Sequence, residues 1–221
     1  MKIERIKYGE LENNCYIIYS DAPESGDGTC GECWILDPGG AAERIISFVR
    51  DHSLTPKGIL ITHHHDDHTA AAPRVAREFG IPVYIHEAEA DLPDVRSLRA
   101  ETVSMKDGDV LTVGEPGAGG AEIKVVSTPG HSKGSVCFLC EAENLAFTGD
   151  CVFSDETGYT IFEGGSKHEM IDSIGSIINK WPDDLVIYPG HFEPADMGYV
   201  KANNIDYLKA MKRYRQKNGE K

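Results

Sequence analysis

No apolar run in this 221-residue chain approaches the roughly 20 residues that a membrane-spanning helix needs. Residues 1–7 lead straight into a strand-like pattern, without the apolar core of a signal peptide. These two absences make a cytoplasmic location without a membrane partner the expectation. Cations are also scarce, with 22 Lys and Arg against 36 Asp and Glu and a formal net charge of -14. Binding nucleic acid through its phosphates requires clustered Lys and Arg, which the chain lacks, so nucleic acid is not an expected partner. Six cysteines without a secretion signal read as reduced thiols. Two pairs have CxxC spacing. Cys137 and Cys140 fall at an odd offset in one apolar run, which points them to opposite faces of a strand and prevents them from gripping one ion. Cys30 and Cys33 follow a Gly-rich loop with no third or fourth ligand in evidence, so a structural or incidental role is expected.

What is present is enough apolar content, 40% of residues, to fill one large domain spanning residues 1–221. Residues 13–19 form a strand rich in β-branched and aromatic side chains, and residues 33–36 return as a second strand that stops at Asp37 and Pro38. The intervening residues 21–31 read as a loop, as do residues 114–120. Residues 41–52 carry Ile45, Ile46, Phe48 and Val49 at helical spacing. Residues 69–79 are Ala-rich and end at Gly80, a helix with a glycine stop. A short helix is expected at 87–92, and strands 102–105 and 110–113 flank a hairpin signal at 106–109. Residues 167–180 and 199–217 read as outer helices. Interleaving of this kind predicts an α/β fold in which two mixed sheets are covered by helices.

Four short apolar runs share a further property. Residues 58–61 run into His63, His65, Asp67 and His68; residues 123–127 into His131; residues 145–148 into Asp150; residues 185–188 into His191. In layered α/β folds the carboxyl ends of strands form a common rim where binding groups meet. Five of the nine histidines fall at these ends. So many imidazoles and carboxylates in one place call for a divalent cation. Two sets can be assembled: His63, His65 and His131 around one ion, and Asp67, His68 and His191 around a second, with Asp150 able to bridge. The cofactors are then two divalent ions, with zinc the first choice and iron or manganese compatible with the same donors. A pair of this kind lowers the pKa of bound water toward about 7 and makes a hydroxide nucleophile without Ser or Cys. His64 and Asp66 are interleaved and expected to point away or to support the ligands. His52, His86 and His168 read as ordinary surface or capping residues.

These residues resemble the metallo-β-lactamase superfamily. The pattern His63-x-His65-x-Asp67-His68, His131 after Thr-Pro-Gly, Asp150 after Gly and His191 after Pro-Gly carries the resemblance, which extends back to residues 14–16 and 37–39. Within the superfamily the chain is most similar to the glyoxalase II group, through residues 149–153, 164–166 and 188–194. The resemblance implies a four-layer αβ/βα sandwich and hydrolysis of a thioester by metal-bound hydroxide at a dinuclear centre. It also implies that Asp67 and Asp150 act in catalysis, Asp67 orienting the hydroxide. Two departures bear on the substrate. Only 30 residues follow His191, too few for the helical region with which glyoxalase II binds glutathione, and the family's Gly-Arg pair stands here as Gly158 and Tyr159. Candidate substrate contacts are Lys133, Tyr159 and Phe162. Alternatives are lactone or β-lactam hydrolysis, a mononuclear-iron persulfide dioxygenase using His63, His131 and Asp150, and a non-catalytic metal-binding protein.

Overall fold

Strands that are apolar on both faces must be covered on both sides, and this requirement organises the molecule. The computed structural model describes residues 1–20, 31–98, 100–114 and 120–219. The first sheet contains β1 (Lys2–Tyr8), β2 (Asn13–Tyr19), β3 (Glu32–Leu36), β4 (Thr55–Leu60), β5 (Val83–His86) and β6 (Thr102–Met105). The second contains β7 (Val110–Val113), β8 (Ala121–Ser127), β9 (Val136–Cys140), β10 (Leu145–Gly149), β11 (Val186–Pro189) and β12 (Ala195–Asp196). In both sheets neighbouring strands follow sequence order. β1, β2 and β3 pair antiparallel, whereas β3 to β6 run parallel. In the second sheet only the β10–β11 pair is parallel.

Period-two alternation divides the apolar residues into three layers. Tyr16, Ile18, Trp34, Leu36 and Leu60 from the first sheet meet Ile123, Val125, Phe138, Cys140 and Phe147 from the second. The opposite face of the first sheet, with Ile17, Ile35 and Ile59, is covered by α1 (Ala42–Asp51) and α3 (Ala72–Phe79). That of the second, with Cys137, Ala146 and Ile187, is covered by α5 (Lys167–Ser176), α6 (Met197–Asn203) and α7 (Ile205–Asn218). The order helix, sheet, sheet, helix is the αβ/βα sandwich expected. Cys137 and Cys140 face different layers, as their odd offset requires. Cys33 is buried and its thiol is pushed up to about 12 by that burial; Cys30, and with it the Cys30–Cys33 pair, lies outside the described residues. So do residues 21–30 and 115–119 of the two expected loops.

Four elements differ from expectation. Residues 69–79 do not form one helix: α2 (Asp66–Thr69) ends before α3, because Pro73 in the first turn of α3 cannot donate back to the preceding turn. Residues 87–92 form turns, and the helix there is α4 (Pro93–Ser97), started by a proline at its first position. The turn at 106–109 exists, but β6 and β7 belong to different sheets. Gly108 and Asp109 exchange backbone hydrogen bonds with Val125 of β8, drawing the chain across. Residues 199–217 break at Asn204. Its side chain accepts from the Tyr207 amide to cap α7 and donates to the carbonyls of Phe153 and Glu156. Among the described residues no helix is long and apolar enough to cross a membrane.

Candidate metal centre

β4 ends at Leu60, and the buried Thr62 fixes the next turn by donating its amide (2.8 Å) and hydroxyl (2.6 Å) to the Asp37 carboxylate. His63 follows and is buried; His65 sits at the start of α2, and Asp67 and His68 lie within it. β8, β10 and β11 deliver His131, Asp150 and His191 to the same point. His131 Nε2 is 3.2 Å from His63 Nε2 and 2.9 Å from His65 Nδ1. Asp67 Oδ2 is 3.4 Å from His191 Nε2 and 3.8 Å from His68 Nε2. Asp150 faces both groups, with Oδ1 3.4 Å from His68 Nε2 and Oδ2 3.6 Å from His131 Nε2 and 3.3 Å from His191 Nε2. The seven residues singled out in the sequence thus meet in one cluster. Its all-histidine set His63, His65 and His131 and its mixed set Asp67, His68 and His191 are the ones assembled above, and His63, His68 and Asp150 form a further overlapping set.

The outer ring nitrogens explain the orientation. His131 Nδ1 lies 2.7 Å from the Tyr159 carbonyl, His191 Nδ1 2.9 Å from the Leu11 carbonyl, and His68 Nδ1 3.0 Å from Asp37 Oδ2. His63 Nδ1 lies 3.0 Å from the Thr62 hydroxyl, whose own hydrogen goes to Asp37. Each partner accepts, so each Nδ1 carries a hydrogen and each Nε2 faces inward, where it can offer a lone pair to an ion once any proton on it has left. Lone pairs 3.2 Å apart on His63 and His131 repel unless a cation lies among them. His68 Nε2 and Asp150 Oδ1 are buried without hydrogen-bond partners. A donor set of imidazoles and carboxylates with orphaned inward atoms fits divalent ions, which would displace the protons described below.

Protonation follows the same division. Burial first, then the neighbouring histidines, keeps His63 far below the usual histidine range and lowers His65 to about 4; burial also lowers His131. For His68 and His191 burial acts in the same direction, but the carboxylates around them win and raise the rings to about 9 and about 10. Burial opposes ionisation of Asp67, yet hydrogen bonds from His191 and Asn13 and the His68 charge hold it well below the carboxylate range. Protons on His68 and His191 therefore balance the two aspartates, a charge that a divalent ion can replace.

Residues not read as site groups support the cluster. Tyr8 donates to the Asp67 carbonyl at 2.7 Å, and Asn13 to the Asp67 carboxylate at 2.9 Å. Glu89, fully buried, accepts from the amides of His64 and Gly134, each at 2.9 Å, tying the first histidine loop to the His131 loop. His64 Nδ1 lies 3.2 Å from the same carboxylate, so it supports rather than joins the cluster, and Asp66 is exposed. Asp37 had a signal, being an acid at a strand end like Asp150; Glu89 and Tyr8 had none in local spacing. Of the three candidate substrate contacts, Tyr159 and Phe162 line an open cleft of about 550 Å³ over the cluster, together with Leu11, Phe153 and Phe192. Lys133 instead lines a neighbouring cavity with His64, Glu89 and Glu163.

A family model described as "Metallo-beta-lactamase superfamily" matches residues 8–191, from Tyr8 to the last histidine of the cluster. The chain belongs to the metallo-beta-lactamase superfamily. Among superfamily relatives, it is 32% identical over 205 residues to a probable metallo-hydrolase, YqgX, of Bacillus subtilis, covering 89% of this chain and 93% of the relative. It is 28% identical over 218 residues to the hydroxyacylglutathione hydrolase GloC of Haemophilus influenzae, covering 92% and 97%. The solved structure of the B3 metallo-beta-lactamase BLEG-1 superposes with a TM-score of 0.75 at 29% identity, covering 92% of this chain and 98% of that one.

Proposed function

We propose that this superfamily member is a metal-dependent hydrolase cleaving a thioester, or a related ester or lactone, in the glyoxalase II manner. The observation that carries the reading is the pair of triads, one of three histidines and one of Asp67, His68 and His191, joined by Asp150 at the floor of an open cleft. His63, His65 and His131 would hold one divalent ion, Asp67, His68 and His191 the other, and Asp150 would face both. Ions bound there supply Lewis acidity toward the scissile carbonyl and toward water. Asp67 is about half-exposed toward the cleft and is fixed from behind by Asn13 and Tyr8, which suits it to accept a hydrogen bond from the attacking water and orient it. Tyr159 and Phe162 close one side of the cleft and exclude bulk water from the acyl group. A thiolate leaves without a strong acid, so the reading requires no general acid in the cleft. The similarity to the hydroxyacylglutathione hydrolase GloC over nearly the full length of both chains supports the thioester over the lactam.

The test is metal analysis of the purified protein coupled to a panel of thioesters, lactones and persulfides. Two ions per chain with chelator-sensitive thioester cleavage are expected. One iron per chain with oxygen uptake on a persulfide would overturn the reading in favour of a dioxygenase.

A further inference from the structure

The walls of the cleft carry information about the substrate that the cluster at its floor does not. Large apolar side chains are normally withdrawn from solvent, yet Leu11 is 65% exposed, Tyr159 63%, Phe162 50% and Phe192 37%, and all four line this one cleft. Outside the cluster itself, the ionisable side chains that line it are Glu10, Glu12, Glu156 and Tyr159; no Lys or Arg does so among the described residues. The nearby cations already have partners, Lys7 with the cleft-lining Glu12 among them. Lys7 pairs with Glu12 at 3.3 Å and Glu193 at 2.7 Å, and Arg5 pairs with Glu193 at 2.6 Å. Lys133 sits in the neighbouring cavity beside Glu163, Glu89 and Asp94.

We propose that the cleft selects substrates with an apolar acyl group and a leaving group that is neutral or cationic, and discriminates against anionic thiols such as glutathione. The proposal rests on the hydrolase reading above and narrows its substrate class. An apolar group gains by covering the Leu11, Tyr159, Phe162 and Phe192 side chains that water now covers. A carboxylate lying against these walls would be desolvated, meet no guanidinium or ammonium there, and face Glu10 and Glu156, the third glutamate, Glu12, being paired with Lys7. Glutathione brings two carboxylates and one ammonium. A tertiary-amine thiol brings only the favourable sign. Exclusion of the wrong substrate by like charge is a recognised route to specificity.

The experiment uses one acyl group, hexanoyl, on three thiols: neutral N-acetylcysteamine, cationic 2-(dimethylamino)ethanethiol and anionic glutathione. With metal-loaded protein, kcat/KM for the first two is expected to exceed that for the glutathione ester by about tenfold or more, a gap that narrows at high salt. The double variant Glu10→Lys with Glu156→Lys should shrink or reverse the gap, its thermal midpoint showing that it folds. In parallel, the three matching S-hexyl thioethers, which cannot be cleaved, are titrated calorimetrically into metal-free protein, where the same order of affinity is expected. Equal or preferred cleavage of the glutathione ester overturns the proposal and leaves the hydrolase reading standing. If no thioester is cleaved, the hydrolase reading fails, and the thioether order alone decides: neutral and cationic ligands binding more tightly supports the charge selection, whereas equal binding or none overturns it.

Discussion

At the scale of single residues, the atoms that hold the cluster in shape are buried carboxylates that never face the cleft. Asp37 accepts three hydrogen bonds, two from Thr62 and one from His68, and so fixes the His68 ring and the turn that carries His63. Replacing such a partner loosens the ligand without removing it. Asp37→Ala should weaken metal affinity by about 10- to 100-fold, measured by competition with a chromogenic chelator. Glu89 plays a different part, because its loss strands the amides of His64 and Gly134 inside the protein. Glu89→Ala should cost about 2–5 kcal/mol in chemical denaturation of the metal-free protein, with Glu89→Gln losing less because one acceptor remains. All seven ligand candidates were legible in the sequence because strand-end His and Asp residues are chemically conspicuous. Glu89 was not, since an acid in a turn is ordinary until the His131 loop folds over it. Lys133 looked like a substrate contact from its place beside His131, but neighbours in sequence need not share a cavity.

At the scale of elements, β-branched and short apolar runs identified most of the strands, and β2 was bounded correctly at both ends because its branched and aromatic run is flanked by polar residues. What it could not show was which sheet a strand joins. The turn at residues 106–109 has a hairpin's local chemistry in either arrangement, and only the bonds from Val125 decide. Glycines carry a related lesson. Gly130 and Gly149 adopt positive φ, as tight turns before His131 and Asp150 require, but Gly190 does not. A Cβ there would overlap Asp150 Oδ1 and His68 Cε1, so β11 needs a glycine for close approach. Gly190→Ala should therefore lower metal stoichiometry while leaving the far-ultraviolet circular dichroism unchanged. In the central layer, Phe138 from β9 is fully buried between the sheets. Phe138→Ala should destabilise the protein by about 3–5 kcal/mol, read from the denaturation midpoint, because neither sheet can collapse into the space left.

At the scale of the whole molecule, the layered architecture was legible because strands covered on both faces leave few alternatives to a sandwich. The acidic balance, -14 overall, argued against nucleic acid as a partner but said nothing of the cleft, whose apolar walls come from four separate stretches around Leu11, Phe153, Tyr159 and Phe192. Ligands that bind only the folded state stabilise it. Stripping metal with a chelator should lower the thermal midpoint, and restoring free metal to about 100 times its Kd should return about 2.7 kcal/mol. Because strands in each sheet follow chain order, the two sheets are built from consecutive halves of the chain. Neither half owns a complete donor set: His63 and His65 wait for His131, Asp67 and His68 for His191, and His63 and His68 for Asp150. On the ribosome, then, the four donors of the first half emerge early, the set with His131 can form only once that residue has cleared the exit tunnel, and the set with His191 must wait for residue 191. A two-ion centre would then be filled in two stages, and a product of synthesis stalled between residues 131 and 191 would carry the first donor set without the second.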